Sequence, residues 1–238
     1  MKKALWIVSF IPLIVTAVML QFLPDKIPMH FDMAGNVNRW GSKAESFLLP
    51  VIMLLLTLMM TLFAGHFEKK SETAADEKER EAARSNAKIL LLVGLFMVII
   101  NCVMQGVILY IAYTAAGTDI SKSGVDMNKV TNLALGVGFI VIGNVMTKTR
   151  KNGLIGFRTR CSMYNDNTWR KSNRFGGIAL MVAGVLTLVI TAIADSATTA
   201  TFLMLGCLVL MTVVGIIYSR KVYNEEIEAE KLAGMNKG

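Results

Sequence analysis

Residues 147–175 read TKTRKNGLIGFRTRCSMYNDNTWRKSNRF. The stretch holds eight Lys/Arg (Lys148, Arg150, Lys151, Arg158, Arg160, Arg170, Lys171 and Arg174) against one acid, Asp166. Apolar segments flank it, residues 130–146 before and 177–194 after. Each approaches the ~20 predominantly apolar residues that a helix needs to cross a bilayer. A strongly basic run held between two such segments is a loop at a membrane surface. That reading fixes the fold class as an all-α, polytopic membrane protein.

Moving outward from this loop, residues 4–23, 47–65, 89–116 and 200–218 pass the same test, so six spans are expected. The segment at 130–146 is short and glycine-rich (Gly136, Gly138, Gly143). The segment at 89–116 is long enough to tilt or to project beyond the bilayer. Composition agrees with this reading. Of the 238 residues, 54% are hydrophobic and 18% charged, with a mean hydropathy of +0.52, whereas soluble domains carry about a quarter charged residues. Met1-Lys2-Lys3 precedes an apolar run without a small-x-small cleavage site, so the first segment reads as a retained helix.

The net charge is +8, yet no nucleic-acid-binding motif is present and no nucleic-acid partner is expected. The charge is distributed by side instead. With six spans, twenty Lys/Arg fall on the face that carries both termini and the central loop, against five (Lys26, Arg39, Lys43, Lys122, Lys129) on the other. Positive charge accumulates on the cytoplasmic side, so both termini are expected there. On that face, residues 71–88 read as a charged helix that continues into the third span, with capping-box spacing from Thr73 to Asp76. The tail from Arg220 reads as a frayed helix. The chain thus divides at 1–67 (two spans and their outer loop), 68–129 (charged helix and third span), 130–220 (basic loop and three spans) and 221–238 (tail).

Candidate functional residues fall into three groups. The outer loop between the first two spans contains Pro24, Ile27, Pro28, His30, Phe31 and Gly35. Its prolines exclude helix, and Met33-Ala34-Gly35-Asn36 reads as a turn. Trp40 suits a membrane interface. Asn101 and Gln105 share one face of the third span, and Asn144 on the fourth is placed to meet them. Such residues either hydrogen-bond between helices or line a solute path. In the central loop, Asn152 with Gly153 suits a turn, Gly156 permits close backbone approach, Arg158 offers a bidentate fork, and Trp169 suits the inner interface, where it could stack on an arginine. Charge alone would describe a loop touching anionic lipid. Asn, Gly and Trp at fixed offsets describe a folded one.

His30 and His66 lie at opposite faces, so no metal site is expected. Cys102, Cys161 and Cys207 have no redox or metal spacing. No phosphate loop, HExxH helix or nucleophile elbow occurs. No cofactor and no catalytic residue is expected. An enzyme centred on His30, or a small-solute or peptide transporter using Asn101, Gln105 and Asn144, are the alternatives to a binding protein.

Asn152, Gly156-Phe157-Arg158-Thr159, Trp169 and Asn173-Arg174 resemble the signature of the SdpI family of membrane immunity proteins. Leu23-Pro24-Asp25-Lys26-Ile27-Pro28-x-His30-Phe31, with Gly35 and Gly41-Ser42-Lys43, resembles the uncharacterised domain that often precedes it. The chain departs from the family at Arg160-Cys161-Ser162, where Pro-Trp-Thr is more common. The resemblance implies a non-enzymatic protein of the bacterial cell membrane that protects against a secreted antimicrobial peptide. It also implies signalling, with a cytoplasmic repressor held at the membrane when toxin is bound. The outer loop would face the toxin, and the basic loop the cytosolic partner.

Overall fold

The computed structural model describes residues 1–32, 36–114, 125–151 and 156–235. Among them the chain forms helices α1 (Lys2–Met19), α2 (Leu48–Thr73), α3 (Glu77–Thr114), α4 (Met127–Met146), α5 (Asp166–Ile193) and α6 (Ala197–Met235), with strands β1 (Lys26–Phe31) and β2 (Val37–Ser42) between α1 and α2. All six helices are long and apolar enough to cross a membrane. Six crossings put both termini on one face, here the terminal face, and the two strands on the opposite one, the hairpin face.

The spans are those expected, but the loop after α1 is not merely an ordered turn. It is an antiparallel ribbon, with Ile27 opposite Gly41 and Pro28 opposite Trp40. This is a β element in an otherwise helical chain, and its cause is local. Ile27 is fully buried with Leu23 against Leu109 and Ala112 of α3, so the chain must stay extended to cover the end of that helix. Pro28, which has no amide to donate, is tolerated because a two-stranded ribbon consists only of edges. The neck of the ribbon is latched. Lys43 pairs with Asp25 at 3.1 Å and donates to the Leu23 carbonyl at 3.4 Å. Glu45 accepts from the Ser42 amide at 2.9 Å and from Arg39 at 2.6 Å, which starts the 3-10 turn Lys43–Phe47.

Below the ribbon, α1, α2 and α3 pack around Leu5, Met53, Leu91 and Val98. The other three helices form a second group. There α4 and α5 approach so closely that a Cβ on Gly143 would stand 2.5 Å from the Gly177 carbonyl, and one on Gly184 2.6 Å from that of Gly136. The glycines that make the fourth apolar segment look weak are the means of this contact. Without a hydrophobic drive between helices in lipid, small residues that let backbones touch are what holds a pair together. At the hairpin face, α4 is tied to its neighbours. Asn128 donates to the Asp32 carbonyl at 3.0 Å, Lys129 to that of Ala194 at 3.2 Å, and Asn132 to Thr201 at 2.9 Å.

At the terminal face two helices overrun the bilayer. At 1.5 Å per residue, α3 with 38 residues is about 57 Å long, against a hydrocarbon core of about 30 Å. Its charged first turns form the helix expected ahead of the third span. The cap is displaced, however. Thr73 ends α2, with its hydroxyl on the Lys69 carbonyl, and Asp76 alone receives the Lys78 amide at 3.3 Å. The end of α6 is not frayed, because side chains of the α4–α5 loop bind it, as described below.

The glycine contact makes a direct prediction. Gly143→Ala and Gly184→Ala should each cost about 1–3 kcal/mol, the usual cost of overpacking, and lower the melting temperature in detergent. Gly106→Ala and Gly206→Ala have open space around the new methyl and should be neutral or gain up to about 1 kcal/mol of helix propensity. Equal melting temperatures for the two pairs would contradict the close approach.

Candidate functional site

The described part of the α4–α5 loop is built from polar side chains turned inward. Asn165 caps α5, accepting from the Thr168 amide at 2.8 Å while Thr168 Oγ1 receives the Asn165 amide at 3.0 Å. Ser162 Oγ accepts from the Thr159 amide at 2.8 Å and donates to the Phe157 carbonyl at 2.7 Å. Thr159 Oγ1 then meets Ser219 of α6 at 2.9 Å, and Ser219 is shared with Ser172 of α5 at 3.3 Å. One hydroxyl on α6 therefore holds both the loop and the helix that follows it.

Asn173 and Trp169 close the loop on α5. Asn173 Oδ1 accepts from the Phe157 amide at 2.6 Å, and its Nδ2 donates to the Trp169 carbonyl at 3.1 Å. Trp169 is 1% exposed and donates Nε1 to the Thr149 carbonyl at 3.0 Å, so it joins the start of the loop to α5. Gly156 has φ +144°, a conformation that side chains disfavour. A Cβ there would also stand 2.7 Å from the Trp169 ring. Phe157 wedges between α5 and α6, where a Cβ on Gly176 or Gly215 would approach its side chain to 3.3 or 3.0 Å.

The extensions of α3 and α6 brace the outside of the loop. Glu226 receives Asn165 Nδ2 at 2.9 Å and Asn167 Nδ2 at 2.6 Å. Tyr164 donates to Glu230 at 2.7 Å, and its ring meets that of Tyr223 edge-on at 5.1 Å. The Glu230 carboxylate accepting this proton holds the Tyr164 phenol above its ordinary range. From α3, Lys78 pairs with Asp166 and Glu81 with Arg150. Such exposed pairs are weak individually, but they place the α3 extension against the loop.

Of the loop residues singled out in the sequence, Gly156, Thr159, Trp169 and Asn173 converge in this network. Arg158 and Arg174 are exposed on its outside. Asn152 and Gly35 lie outside the described residues. Trp169 is not the amphipathic interface residue stacked on an arginine that its neighbours suggested. It is buried, and its N–H is used on a carbonyl. Ser162, Thr149, Ser219 and Glu226 were not anticipated. Only Asn165 and Thr168 carried a usable signal, the spacing of a capping box.

On the hairpin face, Ile27 and Pro28 are buried, Pro24 and Phe31 are half-buried, and His30 is exposed with Nδ1 2.6 Å from Asn38 Oδ1. Gln105, 2% exposed, donates to Thr16 Oγ1 at 2.8 Å and to the Ser46 carbonyl at 3.0 Å, just beneath the hairpin. Asn101 is half-buried one turn deeper. Asn144 is exposed near the opposite end of its span. These three do not line one path. Among the described residues no cluster of His, Cys, Asp or Glu has the grouping of a metal site.

Residues 148–219, the folded loop with α5 and most of the apolar part of α6, match the SdpI/YfhL protein family. The chain carries an SdpI/YfhL segment. Residues 7–54, which include the hairpin and its latched neck, match a domain of unknown function, DUF1648. The chain is also 24% identical over 190 residues, 78% of each protein, to the immunity protein SdpI of Bacillus subtilis. No solved structure matches. With its six apolar helices, this is a multi-pass protein of the bacterial membrane. The SdpI/YfhL segment begins where α4 leaves the apolar region, and its hydrogen bonds are the interior of the loop.

Asn173→Ala would leave the Phe157 amide without its acceptor, at a cost of about 1–3 kcal/mol. In detergent-solubilised protein, limited proteolysis between residues 150 and 165 should accelerate, while cleavage elsewhere keeps its rate. An unchanged pattern would mean that the loop is held by its bracing helices alone.

Proposed function

We propose that this protein is a membrane immunity protein that protects its own cell against a secreted antimicrobial peptide. It does so with its hairpin face outward and its basic face in the cytoplasm. One observation carries the reading. The two family-matched segments contain the two folded structures outside the spans, the latched ribbon and the braced loop, in a chain similar over most of its length to an immunity protein. A signalling role rests on the same layout. The ribbon is packed on the end of α3, whose other end meets the loop, so toxin at the ribbon and a cytoplasmic repressor at the loop would bind the two ends of one helix. In this reading the ribbon residues Pro24, Ile27, Pro28 and Phe31 shape the toxin-facing surface, with His30 exposed on it. Arg158 and Arg174 face the repressor. No catalytic step is assigned.

The orientation follows from twenty against five Lys/Arg. An impermeant thiol reagent should leave Cys161 unlabelled in intact cells and label it after permeabilisation. Labelling from outside would invert the assignment.

The function is tested by exposing cells with and without the protein to peptides secreted by the same organism. Loss of the protein should sensitise the cells. His30→Ala should lower resistance at unchanged abundance, since that side chain is exposed and buries nothing. Arg158→Lys should impair resistance or signalling, because lysine cannot reproduce a planar two-donor fork and a lost bond to a charged partner costs about 1.5–3 kcal/mol. Arg160→Lys, in the same loop, should not. If cells lacking the protein are no more sensitive than wild type, the immunity reading fails.

A further inference from the structure

A cavity of about 560 Å³ opens on the terminal face between the extension of α3 and the α4–α5 loop. Lys78, Lys148, Arg150, Lys151 and Arg170 line it, with Asp166 as the one acid and Trp169 among the remaining walls. Two of the cations are matched, Lys78 by Asp166 and Arg150 by Glu81. Among the described residues Lys148, Lys151 and Arg170 have no carboxylate partner. Lys151 reaches the Tyr164 carbonyl at 3.5 Å and Arg170 the Asn167 amide oxygen at 3.3 Å, both neutral acceptors. Lys148 makes no side-chain hydrogen bond among the described residues. Residues 152–155 (Asn-Gly-Leu-Ile) add no acid.

Three cations without counter-charge around one cavity repel each other, and the fixed backbone of the loop keeps them together. An anion with several acceptor oxygens relieves this, and Lys and Arg donors make their strongest hydrogen bonds to such groups. The depth of the cavity narrows the choice. One wall is Thr147, the residue that follows the last turn of α4, so the cavity begins where the apolar span ends, at the level of lipid headgroups. We propose that this cavity binds a phosphate group, carried by an anionic phospholipid or by a soluble phosphate compound. Bound there, it would tie the residues that follow α4 to the first turn of α5. The proposal does not depend on the immunity reading.

The test uses the full-length protein in nanodiscs, with thermal unfolding as the readout. Replacing part of the phosphatidylcholine by phosphatidylglycerol should raise the melting temperature, and less so at high salt. In pure phosphatidylcholine discs, inorganic phosphate is titrated against chloride at equal ionic strength. A rise with the lipid alone assigns a headgroup site, and a rise with inorganic phosphate also assigns a soluble ligand. Lys148→Gln/Lys151→Gln/Arg170→Gln should abolish the rise, with a loss of roughly fivefold in affinity per cation. Lys69→Gln/Lys70→Gln/Lys231→Gln removes equal charge from the same face outside the cavity and should keep it. Lys148→Gln alone repeats the test should the triple variant fold poorly. The proposal is overturned if neither phosphate source stabilises the wild type, or if both triple variants lose the effect equally.

Discussion

The contact between the backbones of α4 and α5 is the constraint from which the loop follows. Gly143 and Gly177 bring the two helices together toward the terminal face. The chain must then leave α4 and re-enter α5 within a narrow gap, which the described residues of the loop, 147–151 and 156–165, occupy. Trp169 reaches the Thr149 carbonyl because α5 and the end of α4, three residues before Thr149, are held so close. Side chains at Gly143 or Gly177 would part the helix ends and lengthen that bond. A change at this end of the helix pair would therefore be felt in the loop.

Two long elements, α3 and α4, run from the ribbon to the loop, and α6 joins them through its bond to α4. The ribbon is seated on α3 through Ile27, Leu109 and Ala112 and through the Gln105 bonds to Thr16 and Ser46. The same helix ends at the loop, through Lys78 and Glu81. The ribbon touches α4 through Asp32 and Asn128, and α6 runs from Thr201 at the hairpin face to Glu226 at the loop. Exposed ion pairs of the Lys78–Asp166 kind are weak individually. A displacement of α3 could be accommodated at the loop by exchanging them, without disturbing the buried network around Asn173.

The spans and the charged helix ahead of α3 were legible because both are periodic, compositional features spread over many residues. What was illegible depended on single partners far away in sequence. A tryptophan beside arginines reads as an interfacial residue unless the carbonyl of Thr149, 20 residues earlier, is known to accept its N–H. The glutamates of the tail read as a solvated end because Asn165, 61 residues before Glu226, gives no sign of binding it. The ribbon escaped because its prolines argue only against helix, while the reason for extension, a buried Ile27 over the end of α3, is tertiary. The spacing of Thr73 and Asp76 marks a helix boundary, but Thr73 closes α2 and Asp76 accepts the amide at the start of α3.

The residues that carry the family resemblance and those that face solvent are largely different. Asn173, Thr159, Trp169 and Gly156 are consumed in holding the backbone, since polar groups buried in a loop are costly unless each is hydrogen-bonded. Lys148 and Arg170 are exposed on the outside. A backbone fixed in this way presents its cations at set positions, so a partner that binds them does not first have to order the loop, which would cost on the order of 0.5–1.5 kcal/mol per immobilised side chain. The interior can thus stay constant while the exposed positions change from one protein to another. By this division of labour, the triplet Arg160-Cys161-Ser162 departs from the family pattern at two outward or half-buried positions and still supplies, in Ser162, the hydroxyl that the interior requires.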